Sequence, residues 1–184
     1  MTYSNAGRNL RGAFVAVTSL FFMWGFITVL VDALIPRLKD VFELTFLQAG
    51  LVQFAWFAAY GLLSIPGGNL ISKIGYQRGI LVGLATAGAG CLLFYPAAAT
   101  RLYPLFLLAL FVVAGGITVL QVAANPYISV LGPEESASAR LNLSQAFNSF
   151  GTTIAPVVAA SFLLGDQILS GEAIGALSDT ERQA

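Results

Sequence analysis

From Ala13 to Val31 every residue is apolar, glycine, serine or threonine, and the first charge after that stretch is Asp32. Counted to about residue 35, this first apolar segment has four successors, at roughly 46–72, 79–98, 103–131 and 139–165. About 20 apolar residues in a helix cross a hydrocarbon core about 30 Å thick, so the pattern predicts five spanning helices. The connections "PRLKDVFELT", "KIGYQRG" and "GPEESASAR" are short, which predicts antiparallel neighbours. The expected fold class is an all-α membrane bundle over residues 1–165, followed by a polar extramembrane tail at 166–184. Glycine is plentiful, 19 in all, and "AGAG" at 87–90 and "AGG" at 114–116 suit close helix approach.

Composition sharpens this picture. Hydrophobic residues make up 57% of the 184, charged residues only 10%, against about 25% in soluble domains. Nine basic and nine acidic residues cancel, and no basic tract offers itself to nucleic acid. A single cysteine, Cys91, has no partner for an internal disulfide, and histidine, the commonest zinc ligand, is missing. No phosphate-binding glycine loop and no nucleophile–base pair is present, so neither an enzyme nor a cofactor is expected. Arg8 and Arg11 precede the first segment as in a signal peptide, but no small-x-small cleavage site follows, and a retained helix is read instead. With the N-terminus inside, Arg8, Arg11, Lys73, Arg78 and Arg140 fall inside, and Arg37, Lys39, Arg101 and Arg182 outside. This bias favours a cytoplasmic N-terminus.

Inside the apolar segments the polar residues are ordered. Thr118, Gln121 and Asn125 recur at i, i+3 and i+7, within about 60° of one helix face. Asn142, Gln145, Ser149 and Thr152 share a face of the fifth segment, with Asn148 beside it. Gln53, Tyr60 and Ser64 line one face of the second, near Trp56 and Phe57. Amides both donate and accept hydrogen bonds, which suits a ligand dense in hydroxyls, and aromatic faces suit the C–H face of a sugar ring. Plainer readings stand beside these. Serine, threonine and asparagine also glue membrane helices together, and Tyr95 and Tyr103 fit an interfacial belt. Asp32 costs about 2.5–3.5 kcal/mol if lipid surrounds it. It is either a functional carboxylate or a helix-end charge reaching for the interface near Pro36 and Arg37.

The stretch "VAANPYISVLGPEESASARLNLSQAFNSFGTTIAP", 122–156, resembles the fucose–galactose–glucose:proton symporter family, a branch of the major facilitator superfamily. "SLFFMWGF" to "LIPRLK" resembles its first helix, and "LQAGLVQFAWFAAYGLLSIPGG" its second. The resemblance spans about 13–165. It implies twelve helices in two halves with a monosaccharide site between them, reached by alternating access. This chain matches five helices of the first half, so the missing C-terminal half is an expected partner, along with protons and the lipid bilayer. The resemblance makes Asp32 the proton-coupling residue. The polar faces described above offer Gln121, Asn125, Asn142, Gln145 and Asn148 as candidate hydroxyl-binding groups for the sugar, with Gln53 and Tyr60 as second choices. A fucose, galactose or glucose type of sugar and the plasma (inner) membrane follow as expectations. Two positions depart from the family. A second carboxylate is expected five residues before the proline of "NP", where Gln121 stands, and Ser72 replaces an aspartate in the loop after the second helix. The alternative is a non-transporting membrane fragment, an assembly partner or a sugar-sensing relic.

Overall fold

Leucine, alanine, valine and phenylalanine dominate the spans, and in helices they leave no backbone group unpaired in an apolar medium. The computed structural model describes residues 3–41 and 44–163, with side chains from 10 to 33 and from 44 to 161. It contains five long helices: α1 (Tyr3–Val41), α2 (Phe46–Ile74), α3 (Tyr76–Thr100), α4 (Tyr103–Val130) and α5 (Ala137–Leu163). A single 3-10 turn, Glu134–Ser136, precedes α5. No strand occurs among the described residues.

The helix ends follow local chemistry. Thr45 caps α2 through a reciprocal pair with Gln48, in which each side chain takes the other residue's backbone N–H. Between α2 and α3 the expected seven-residue loop shrinks to Gly75 alone. Its φ of +83° reverses the chain in one residue, a conformation that side chains disfavour. Arg101, in the left-handed region at φ 51°, ends α3. At the first connection α1 continues past Pro36 to Val41, although a loop was expected to start there. A proline removes one donor and does not always end a helix; here it leaves the carbonyl of Asp32 without its i+4 partner. The tail expected at 166–184 lies outside the described residues.

Packing divides the bundle into two groups. α4 packs broadly on α3 and α2, whereas α1 packs on α5; the contacts between these groups are slighter. Small residues make the first group possible. A methyl at Gly83 would meet the Leu120 backbone nitrogen at 2.7 Å and the Gly116 carbonyl at 2.8 Å, and one at Gly116 would collide with Ala87. Gly115, one position earlier, turns instead to Leu63 of α2. With no hydrophobic drive between helices in lipid, this close approach supplies the packing energy. Between α1 and α5, Gly25 faces Asn148 and Gly151 faces the Phe22 carbonyl, while Thr18 and Ser144 share a buried hydrogen bond of 3.0 Å.

Among the described residues, four helices are long and apolar enough to cross a membrane: 10–33 of α1, and α2, α3 and α4. The fifth expected span, α5, carries Arg140, Asn142, Gln145 and Asn148 in its first half. Its 27 residues are sufficient in length. Phe46, Phe54, Leu62, Ile65, Leu81, Leu92 and Val157 stand exposed on the outside, surface that calls for hydrocarbon or protein cover.

Candidate functional site

Two clusters gather most of the polar side chains that the pattern singled out. The first lies between α1 and α2. Thr28 and Asp32 of α1 meet Gln53, Trp56, Phe57 and Tyr60 of α2 around a cavity of about 240 Å³. Helical spacing produces this lining: Thr28 and Asp32 are one turn apart, and Gln53, Trp56, Phe57 and Tyr60 follow one another at three, one and three residues on one face. Drug-sized sites run to about 300–1,000 Å³, so this one suits a smaller ligand. Its lining mixes a carboxylate, an amide, two hydroxyls and aromatic faces. Trp56 is buried and its ring centroid is 6.3 Å from that of Tyr60. Thr28 spends its own hydrogen on the Trp24 carbonyl, 2.7 Å away, which leaves its oxygen free to accept.

Tyr60 extends this cluster to α4. Gln121 donates from Nε2 to the Tyr60 hydroxyl at 3.0 Å. Thr118, on the same face of α4, is buried and donates to the Ala114 carbonyl within its own helix. The second cluster joins α4 to α5, where Gln145 Nε2 lies 3.4 Å from Asn125 Oδ1. Asn142 is exposed on the same side of α5. Asn148 turns away from it: its Nδ2 donates to the Phe21 carbonyl of α1 at 3.0 Å, so in this conformation it joins two helices.

Of the eight residues singled out, Asp32, Gln53 and Tyr60 therefore share one cavity, and Gln121 is tied to it. Asn125 and Gln145 form a separate pair. Nothing in the pattern pointed to Arg140 except its charge. Its guanidinium donates to the carbonyls of Ile128, Ser129 and Pro133 at 3.1, 2.6 and 3.0 Å, and to the Ser136 hydroxyl at 2.6 Å. In the sequence it was only an arginine in the first turn of the fifth segment, ten residues past the end of α4, and its role appears once α5 folds back so that the cation meets the exposed carbonyls. No group of three or more metal-ligating side chains occurs among the described residues.

Residues 12–168 match the Major Facilitator Superfamily. A glucose/galactose transporter of Brucella abortus is 55% identical over 163 residues, which is 89% of this chain and 40% of that protein. An L-fucose-proton symporter of Escherichia coli K12 is 46% identical over 153 residues, 83% of this chain and 35% of that protein. The crystal structure of the E. coli fucose:proton symporter superposes with a TM-score of 0.73 at 40% identity, covering 93% of this chain and 41% of that one. The chain thus spans well under half the length of these relatives.

Proposed function

Starting from the chain's membership of the Major Facilitator Superfamily, to which it belongs over most of its length, we propose that it forms part of a proton-coupled monosaccharide transporter. The observation that carries this reading is the cavity shared by Asp32, Gln53, Trp56 and Tyr60. It pairs hydroxyl-binding groups with aromatic faces, and it includes the one acidic side chain of the first span. Relatives named for glucose, galactose and fucose support a hexose-sized ligand rather than a peptide or a nucleotide.

In this reading the sugar lies against the polar faces of α1, α2, α4 and α5. Asn125, Asn142 and Gln145 present hydroxyl-binding groups from the far side, and Asn148 joins them when α1 and α5 shift. Asp32 exchanges the coupled proton. A carboxyl cut off from water favours its neutral form, and sugar entry or departure changes that balance. The site is completed by helices beyond this chain, as the length of its relatives suggests. The transporter sits in the plasma (inner) membrane with a cytoplasmic N-terminus, a placement supported by the basic residues flanking the spans.

The test is Asp32→Asn in this chain joined to the remaining helices of the Brucella relative. The amide keeps shape and hydrogen bonding but holds no exchangeable proton. Uphill accumulation of sugar should fail, while exchange down a sugar gradient survives. Undiminished accumulation would return Asp32 to a helix-end charge.

A further inference from the structure

Gln121 stands where a carboxylate is expected, and the two groups treat a neighbouring phenol in opposite ways. A carboxylate only accepts, so it would take the tyrosine's hydrogen. An amide nitrogen only donates, so it takes the phenol's oxygen and leaves that hydrogen free. In this chain Gln121 Nε2 donates to Tyr60 Oη at 3.0 Å. Thr28 faces the same cavity as Tyr60, and its hydroxyl hydrogen is committed to the Trp24 carbonyl. Thr28 therefore offers an acceptor. Thr28, Tyr60 and Asp32 all line the same cavity.

We propose that Gln121 is a positioning residue: it holds the Tyr60 oxygen from α4 and so commits the phenolic hydrogen to the α1–α2 cavity, where Tyr60 is the hydroxyl donor that sets specificity. Its part in sugar recognition rests on the transporter reading; the hydrogen-bond polarity does not. A sugar oxygen in the cavity takes that hydrogen while Gln121 keeps the ring in place. Substitution of the expected carboxylate thus changes what the neighbouring tyrosine offers, and Gln121 need not touch the sugar.

Ring vibrations of tyrosine distinguish a phenol that accepts a hydrogen bond from one that only donates. Among six tyrosines, the difference between Raman spectra of the unaltered chain and Tyr60→Phe isolates this one. In the full chain in detergent, Tyr60 should read as an acceptor. Gln121→Leu should abolish that signature. Gln121→Glu, nearly isosteric and so a guard against misfolding, should read as a pure donor when ionised and recover the acceptor signature when acidified. Binding of D-glucose, D-galactose and L-fucose to the same variants, each joined to the remaining helices of the Brucella relative, should weaken by roughly 2- to 12-fold in Tyr60→Phe and in Gln121→Leu, the loss of one neutral hydrogen bond. The double variant should lose no more than the larger single loss, because one residue acts through the other. An unchanged vibration in Gln121→Leu, or losses that multiply in the double variant, would overturn the proposal. Absence of sugar binding in every form would instead count against the transporter reading, and the vibration would still decide the contact.

Discussion

At Gly25 the missing side chain decides how near two helices come. A methyl there would strike the Asn148 backbone carbonyl and sit 2.6 Å from its side-chain nitrogen. Backbone cannot rotate aside, so α1 and α5 would have to part. Gly25→Ala is expected to destabilise the chain by about 1–3 kcal/mol, the usual range for overpacking. Gly151→Ala should act alike from the other helix, against the Phe22 carbonyl. Gly61→Ala is the contrast, since nothing lies within 4 Å of its added methyl. It should be neutral or raise stability by up to about 1 kcal/mol through helix propensity. Thermal unfolding in detergent, followed by the buried Trp24 and Trp56, measures all three. Equal melting of Gly25→Ala and Gly61→Ala would contradict the account. Glycine richness was plain from the chain, but its division of labour was not. "AGAG" reads as one motif, yet Gly90 is pressed on Val113 while Gly88 faces open space. A 100° step per residue separates their surroundings, and only the neighbouring helix decides which one matters.

At the scale of elements, α4 and α5 are fastened at one end by Arg140. Three carbonyls and a hydroxyl converge on one guanidinium, and Gly132 leaves room for it, since a methyl there would lie 2.9 Å from Nη1. The arginine satisfies α4 carbonyls that have no partner within their helix. Arg140→Ala should loosen the connection at 131–136 and cost about 1–3 kcal/mol, the penalty for half-buried groups left unpaired. Arg140→Lys should restore part of this, because an ammonium cannot span the fork of acceptors. Amide hydrogen exchange across 128–137 reads the effect. Unchanged exchange in Arg140→Ala would show that the connection holds without the clamp. Element number and order were legible in the apolar periodicity, and so were most ends to within a few residues. The turns were less so. Gly75 reverses the chain alone where seven residues had been set aside, and α1 passes through Pro36, because neither event changes the hydrophobic pattern. Arg140 looked like a loop charge, since its partners exist only after α5 has folded back on α4.

At the scale of the molecule, the α2–α3–α4 group and the α1–α5 pair meet lightly, and the polar side chains of α1, α2, α4 and α5 lie along that meeting. Their grouping on narrow helix faces could be read from spacing. Their partition could not: Asn148 belongs to the α1–α5 seam, Gln121 to Tyr60, and Asn125 to Gln145. Side chains one turn apart on one face thus have different helices as partners. The cavity is lined by α1 and α2, and in the proposed reading helices beyond this chain complete the site, so this chain in proteoliposomes without further helices should give no saturable sugar uptake. Saturable, stereospecific uptake would mean that copies of this chain complete the site for one another.

The central claim, that the polar faces of α2, α4 and α5 line a sugar cavity, is tested most directly by cysteine accessibility. Exposed Cys91 on α3 is first replaced by alanine. Gln53→Cys, Asn125→Cys and Gln145→Cys are then made singly in the chain joined to the remaining helices of its Brucella relative. Each should react with a membrane-impermeant maleimide, and D-glucose, D-galactose or L-fucose should slow that reaction while sucrose does not. Thiols that stay unlabelled, or that label at the same rate with every sugar present, would contradict the account and make these faces helix–helix contacts.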